Sequence, residues 1–156
     1  MSQIPRMKPD DANRRERTMR VKLLEEDLTR EIIGSFYEVY NDLGFGFREG
    51  MYKRALVISL RGKGISVDRE FPVEVFFHGQ QLGAHRLDIF VERRVVVEVK
   101  ATHKLAYADK LQLVNYLTAL NLEVGLLLHF GPKAEFKRVL GGWRPGSKSG
   151  DQKESG

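Results

Sequence analysis

The residues best suited to chemistry are Asp88, Glu98 and Lys100, which lie among apolar residues in the segment HRLDIFVERRVVVEVK, residues 85–100. Apolar residues alternate with other residues on both sides of the tripeptide at 92–94, and this period of two predicts two β-strands. The tripeptide is expected to be the loop between them. A three-residue loop pairs Val91 with Val95 and so fixes the register of the hairpin.

Two acids face each other across this predicted hairpin. In the expected register Asp88 lies opposite Glu98. Arg86 likewise lies opposite Lys100, and the four side chains share one face because strand faces alternate. The other face is expected to be core and comprises Leu87, Ile89, Val91, Val95, Val97 and Val99. Two carboxylates about 5 Å apart repel by roughly 3 kcal/mol at an effective dielectric constant of about 20. A divalent cation such as Mg²⁺ would offset this repulsion, because it binds carboxylate oxygens.

An ion-pair quartet explains the same residues without a metal. Its diagonal pairs are Asp88 with Lys100 and Arg86 with Glu98, and each pair is opposite in charge. Such a quartet would neutralise itself in solvent, and a register slip of one residue would separate the two acids. The hairpin alone therefore supports the metal site and the ion-pair quartet equally.

Helical and strand patterns predict the elements that would position these residues. Apolar residues at helical spacing predict a first helix over residues 24–42. A second helix is predicted over 47–61, with Met51, Ala55 and Ile58 facing inward. The remaining elements are predicted to be a strand at 71–77, a turn at 78–83, the hairpin, a helix at 107–120, a buried strand at 123–130 and a short last strand within 131–140. This order indicates an α/β or α+β sandwich.

Composition and charge indicate one domain with charged ends. The chain has 156 residues, of which 42% are apolar and 30% charged, and its net charge is +5. We expect a disordered basic arm at residues 1–22, which hold seven Lys or Arg and three Asp or Glu. The domain is expected at 23–140, with sixteen residues of each charge, and a disordered Gly/Ser-rich tail at 141–156. A solvated arm without a partner is the favoured interpretation, and contact with nucleic-acid phosphates is the alternative.

The sequence also bears on the compartment. It contains no cysteine, which suits a reducing cytoplasm and excludes disulfides and thiolate metal sites. No apolar run approaches the roughly 18 residues of a membrane span, and no apolar stretch follows the N-terminal charges as in a secretory signal. We therefore expect a cytoplasmic protein with no membrane partner.

Other polar residues lack the spacing of known sites. Gly44, Gly46 and Gly50 follow a helix, so they indicate a helix–helix turn and not a nucleotide-binding loop. The histidines show no zinc-ligand spacing and are expected at loops or strand ends: His78, His85, His103 and His129. Glu49 lies in the first turn of the second helix, where an acid also complements the helix dipole. Gln112 lies on the third helix, where it could face solvent or the sheet.

Taken together, these residues resemble the GxxExxY proteins of bacteria and archaea. The signature is GFREGMY at residues 46–52, and the similarity extends through RLDIFVERRVVVEVKA and QLVNYL to VGLLLHFG, over roughly residues 28–140. That family is assigned to the PD-(D/E)xK nuclease-like superfamily, whose core runs α–β–β–β–α–β. The resemblance implies an α/β (α+β) fold with a mixed central sheet, in which a three-strand meander is flanked by helices.

The resemblance also implies a metal site. Asp88 corresponds to the lone acid of the superfamily motif, and Glu98 to the first residue of its (D/E)xK tripeptide. These two side chains would hold Mg²⁺ or Mn²⁺, with the backbone carbonyl of Val99 as a further ligand. Glu49 corresponds to the acid of the preceding helix and would bind through water or complete a second metal site. The histidine that family members often carry in the first helix is replaced here by Tyr40, which puts any role of that position in doubt.

The implied activity is metal-dependent hydrolysis of DNA, as in an endonuclease. Lys100 would orient the attacking water or stabilise developing negative charge, and Gln112 would position Lys100, the water or the DNA backbone. RNA is the second substrate that the resemblance admits, and cleavage of both strands would favour a homodimer. Two alternatives stay open: a nuclease-fold module that binds nucleic acid without turnover, and one that binds a protein partner.

Overall fold

The computed structural model describes residues 8–141, so the predicted tail at 141–156 lies outside the described residues apart from Gly141. Within these residues, three helices and five strands follow one another in the predicted order. They are α1 (Pro9–Leu43), α2 (Glu49–Gly62), β1 (Val67–Phe77), β2 (Gln80–Val91), β3 (Val95–Lys100), α3 (Tyr107–Leu120), β4 (Val124–Phe130) and β5 (Ala134–Leu140). Within this described part, no helix is long and apolar enough to cross a membrane.

The five strands form one mixed sheet in the order β1-β2-β3-β4-β5. Strands β1 to β3 make an antiparallel meander, β3 and β4 are parallel, and β4 and β5 are antiparallel. The parallel pair needs a crossover, which α3 supplies. Pro72 is tolerated within β1 because this strand lies at an edge of the sheet. The mixed sheet with a three-strand meander and flanking helices confirms the predicted fold class.

Two apolar layers cover the two faces of the sheet. The first core lies under α1 and α2 and includes Ile32, Phe36, Tyr52 and Leu56. The second core lies under α3 and includes Leu113 and Leu117, among others. Strands β3 and β4 contribute to both layers and are buried along almost their whole length, as a central strand covered on both faces must be.

Strand β2 changes the face that it presents to each core. Ile89 and Val91 lie in the first core, as predicted, but Leu87 lies in the second. In a regular strand Leu87 and Ile89 would share a face. The regular β1–β2 register skips the position of Glu70 and Asp88, and Glu70 has a positive φ of 51°. Because of this irregularity, Leu87 lies in the second core, although alternation along the sequence predicted it in the same layer as Ile89.

Helix α1 begins fifteen residues before the predicted start at residue 24. Residues 9–22, predicted to be part of a disordered arm, are helical. Pro9 stands in the first turn, where its fixed φ suits a helix, and Asp10 and Asp11 complement the dipole there. Side chains of residues 8–20 are almost all exposed, so no apolar stripe marks this extension in the sequence.

Helix α2 is rotated relative to its predicted orientation. Ala55 packs against the first core, but Met51 and Ile58, also predicted to face inward, are 55% and 73% exposed. The buried face instead comprises Tyr52, Leu56, Val57 and Leu60. Tyr52 sets the rotation, because its hydroxyl donates to the Gly44 carbonyl at 2.6 Å and its ring stacks on the Phe130 ring at 4.1 Å.

Residues with positive φ form the turn between β1 and β2 and the turn between α1 and α2. The β1–β2 turn consists of His78 and Gly79, with φ values of 49° and 74°, so β2 resumes at Gln80 and the predicted turn over 78–83 was too long. Positive φ at both central residues matches the twist of a hairpin. Gly44 and Gly46 have φ values of 69° and 116° and form the predicted helix–helix turn, whereas Gly50, predicted to belong to it, lies in the first turn of α2.

Candidate functional site

The β2–β3 hairpin has the predicted register where it is paired. Val91 pairs with Val95 and Ile89 pairs with Val97. Residues 92–94 form the loop, as predicted from the spacing. The Cα pairing stops at Ile89 and Val97, one step before the two acids. The acids therefore lie where the two strands separate and a side chain can enter between them.

Asp88 replaces the backbone at this point of separation. Its Oδ2 atom accepts a hydrogen bond from the backbone N–H of Val99 at 3.0 Å. The side chain thus links β2 to β3 where the regular ladder has ended. This contact also holds the Asp88 carboxylate next to the strand that carries Glu98.

Glu98 is a buried acid with an unpartnered oxygen. Its residue is 5% exposed, and its Oε1 atom has no hydrogen-bond partner within residues 8–141. Burial raises the pKa of Glu98 to about 8, with the adjoining Asp88 carboxylate adding to the effect and Lys100 opposing it. A buried polar atom without a partner costs about 1–3 kcal/mol. This position is therefore costly for folding unless a proton or another cation neutralises the carboxylate.

Lys53 lies between Asp88 and the helix acid Glu49. Its Nζ atom is 2.8 Å from Asp88 Oδ1 and 3.3 Å from Glu49 Oε1, and its side chain is 17% exposed. Burial alone would lower the pKa of Lys53, but hydrogen bonds and charge attraction from the two acids outweigh it and raise that pKa. Sequence reasoning missed Lys53. The i,i+4 spacing from Glu49 was a signal for that contact, whereas nothing in the sequence pointed to Asp88.

The predicted partners of Lys100 and Gln112 are different in the structure. Lys100 Nζ lies 3.6 Å from Asp109 Oδ1 on α3. Gln112 Nε2 lies 3.1 Å from His85 Nε2, so this glutamine contacts β2 and not Lys100. Asp109, which sequence reasoning also missed, additionally accepts from the backbone N–H of Ala106 at 3.0 Å and so caps α3. The first turn of α3 is thereby connected to the end of β3.

The ion-pair quartet that would have explained the hairpin without a metal is not formed. Among the ion pairs of the described residues, none joins Asp88 to Lys100, and none joins Arg86 to Glu98. Asp88 pairs with Lys53 from α2 instead. Arg86 is exposed. The two opposed acids are consequently not neutralised from within their own hairpin.

His129 is a buried polar side chain on β4, next to the end of β3 that carries Lys100. It is 3% exposed and is the β4 neighbour of Lys100 in the parallel register. Its Nε2 atom lies 2.7 Å from the carbonyl oxygen of Thr102, to which it donates. His129 was predicted at a loop or strand end and lies near the end of β4, whereas His85, predicted likewise, lies in the middle of β2 and pairs with Val73. Its contact fixes the loop that follows Lys100.

The acids offer a partial ligand set for a divalent metal. In the described residues, no group of three or more His, Asp or Glu side chains is arranged to hold one ion. Asp88 and Glu98 nevertheless supply two carboxylates, and Mg²⁺ is usually bound by one or two carboxylates and several waters. The unpartnered oxygen of Glu98 fits such an ion, because a cation would satisfy it. Val99 adjoins both acids, and Glu49 reaches the group through Lys53.

Comparison with known proteins gives a family match over most of the domain. A family model described as the PD-(D/E)XK nuclease superfamily matches residues 26–139. No curated protein matches the chain. One similar solved structure is described as "Crystal structure of SSO0001", at 19% sequence identity and a TM-score of 0.49. The match covers 80% of this chain and 63% of that chain, so the present sequence spans less than two thirds of the other protein's length.

Proposed function

The chain belongs to the PD-(D/E)XK nuclease superfamily, and from that premise we propose that it is a metal-dependent nuclease that hydrolyses phosphodiester bonds of DNA. The observation that carries the proposal is the buried Glu98 with its unpartnered oxygen beside Asp88. The signature at residues 46–52 supports the finer assignment to the GxxExxY proteins. A cytoplasmic location belongs to the same proposal, RNA is the second substrate after DNA, and a homodimer is the assembly that cleavage of both strands would favour.

Four groups would hold the metal in this proposal. They are the Asp88 and Glu98 carboxylates, the Val99 carbonyl and, directly or through water, Glu49. A bound Mg²⁺ or Mn²⁺ would supply an activated water and would neutralise charge that develops on the phosphate. Glu98 would contribute its free oxygen as a ligand, and its burial would exclude bulk water from the site.

Lys100 and Gln112 would act on the nucleic acid. Lys100 ends β3 two residues after Glu98, so both side chains point to the same face of the strand. Its ammonium group would orient the attacking water or stabilise developing negative charge. Gln112 lies on α3, and its amide would position the nucleic-acid backbone once it leaves His85.

A module of the same fold that binds nucleic acid or protein without turnover is the second candidate. The ion pair between Lys100 and Asp109 favours it, because this contact engages the ammonium group that catalysis would use. The two candidates differ in one observable. A nucleic-acid-binding module would associate with DNA in a salt-dependent way, since phosphate contacts release counterions, but it would leave the strands intact. A module for a protein partner would show neither salt-dependent DNA binding nor cleavage.

The decisive experiment is plasmid nicking by purified protein with Mg²⁺ or Mn²⁺. The wild-type protein is expected to relax supercoiled plasmid, and Lys100→Ala, prepared identically, is expected to be inactive. Lys133→Ala is the matched control, because this lysine is exposed in the β4–β5 turn. Equal cleavage by wild type and Lys100→Ala would indicate a contaminating nuclease or a wrong assignment. Salt-dependent binding without cleavage by any variant would support the second candidate.

A further inference from the structure

Lys53 takes up an oxygen that the proposed metal site would need. Asp88 Oδ1 is bound by Lys53 Nζ at 2.8 Å, and Asp88 Oδ2 is bound by the Val99 N–H at 3.0 Å. Glu49, the helix acid, is also bound by Lys53. Among the acids proposed as ligands, Glu98 has a buried oxygen without a hydrogen-bond partner in the described residues.

We propose that Lys53 is a built-in counter-ion of this acidic site, which neutralises Asp88 and Glu49 in the metal-free protein and leaves Asp88 when a divalent cation binds. The inference rests on the proposed function and deepens it. An ammonium ion and a divalent cation that share one carboxylate oxygen repel each other at close range. Lysine can move away, because its charge lies at the end of a flexible four-carbon chain.

A surface ion pair on α2 is the simplest other explanation of these contacts. Pairs of this i,i+4 kind between Glu49 and Lys53 are common on helices and weak. The shorter of the two contacts, however, is with Asp88, which lies on a different element. The Lys53 side chain is also mostly buried, so it is not one of several solvated charges on the helix surface. Its position specifically neutralises the acid that neighbours Glu98.

Lys63 provides a matched control within the same structure. It caps the C-terminal end of α2 and also lies between two acids, 4.0 Å from Glu31 and 3.8 Å from Glu38. Both of these acids are exposed. Removing the Lys63 charge therefore perturbs a similar double ion pair without touching the proposed ligands.

The first test is calorimetric titration of the intact protein with Mg²⁺ and with Mn²⁺. Lys53→Gln is expected to bind the metal at least about tenfold more tightly than wild type, the factor that corresponds to about 1.4 kcal/mol. Lys53→Arg keeps the charge and is expected to bind the metal much as wild type does, and so is Lys63→Gln. If wild type binds the metal and Lys53→Gln binds it equally or more weakly, the counter-ion role of Lys53 is overturned and the metal site is not. Absence of metal binding in wild type and Lys53→Gln together would overturn the proposed metal site as well.

A second measurement uses wild-type protein and so does not depend on the folding of a variant. An amine-reactive reagent, with mass spectrometry of the labelled lysines, reports how accessible each ammonium group is. Lys53 is expected to label slowly in EDTA and several-fold faster in saturating Mg²⁺, whereas Lys63 keeps the same rate. If Lys53 stays protected while calorimetry shows that Mg²⁺ is bound, the displacement does not occur and the inference is refuted.

Discussion

Replacement of Glu98 by glutamine is expected to stabilise the metal-free protein at high pH. Burial and the adjoining Asp88 carboxylate raise the pKa of Glu98 from its ordinary 4.5 to about 8. Between these values the folded protein keeps a proton that the unfolded chain has released, so stability falls as pH rises through this range. Below pH 4.5 Glu98 is protonated in both the folded and the unfolded protein, so its burial does not lower the free energy of unfolding. Above about pH 8 Glu98 is ionised in both states, and the loss of stability is complete.

The size of this effect follows from the difference between the two pKa values. At about 1.4 kcal/mol per pKa unit, ionisation of Glu98 lowers the free energy of unfolding by on the order of 5 kcal/mol across the range. Glu98→Gln removes the titration while it keeps the shape of the side chain. Its amide can also donate to Asp88. We therefore expect the variant to be more stable than wild type at high pH and similar to it at low pH.

Urea unfolding in EDTA, followed by circular dichroism at about pH 5 and about pH 9, measures this difference as a change in transition midpoint. Glu25→Gln is the matched control. Glu25 is also buried, and burial raises its pKa, with Arg94 opposing the effect. It lies on α1, so its replacement is expected to change the pH dependence without changing the response to metal.

Mg²⁺ provides the second half of the same experiment. A ligand that binds only the folded state raises the free energy of unfolding. Wild-type protein and Glu25→Gln are expected to gain stability from Mg²⁺ at high pH, and Glu98→Gln is expected to gain far less. The reasoning fails if Glu98→Gln loses as much stability as wild type between the two pH values. It fails equally if Mg²⁺ stabilises Glu98→Gln as strongly as wild type.

Three further substitutions test other parts of the structure. Lys100→Ala is expected to abolish plasmid nicking while its urea midpoint stays close to that of wild type, and cleavage at the wild-type rate would contradict the assignment. Tyr52→Phe removes hydrogen bonds to the Gly44 carbonyl and from the Phe47 N–H, and we expect a loss of about 1–3 kcal/mol in urea unfolding. An unchanged midpoint would show that water replaces both bonds. Gly79→Ala places a Cβ at φ 74° and is expected to cost about 1–2 kcal/mol with normal nicking, whereas impaired nicking would implicate the hairpin in function.

Much of the fold could be predicted because it depends on local periodicity. Alternation and helical spacing gave the order of the elements, and a three-residue loop fixed the hairpin register from Val91 and Val95. The rotation of α2 was missed because its apolar residues lie on several sides of the helix. The contacts of Tyr52 with Phe130 and with the Gly44 carbonyl select the buried face.

The candidate site was predictable in its residue types but not in its partners. Glu98 and Lys100 lie two apart on one strand, so their common face follows from the sequence. The partners of Asp88 and Lys100 come from other elements. Lys53 from α2 binds Asp88, and Asp109 from α3 binds Lys100. Neither contact leaves a periodic signal, because each joins residues on different elements of the fold.

The failure of alternation at β2 and the geometry of the site have the same origin. The strand changes face between Leu87 and Ile89, where the ladder also skips Asp88 and its neighbour Glu70. In a regular strand, Asp88 would share a face with residues 86 and 90. The irregularity instead lets its carboxylate contact Lys53 with one oxygen and the Val99 N–H of β3 with the other. Local departures from sequence rules are expected where function demands a particular geometry. The same irregularity thus puts Leu87 in the second core and lets Asp88 contact both α2 and β3.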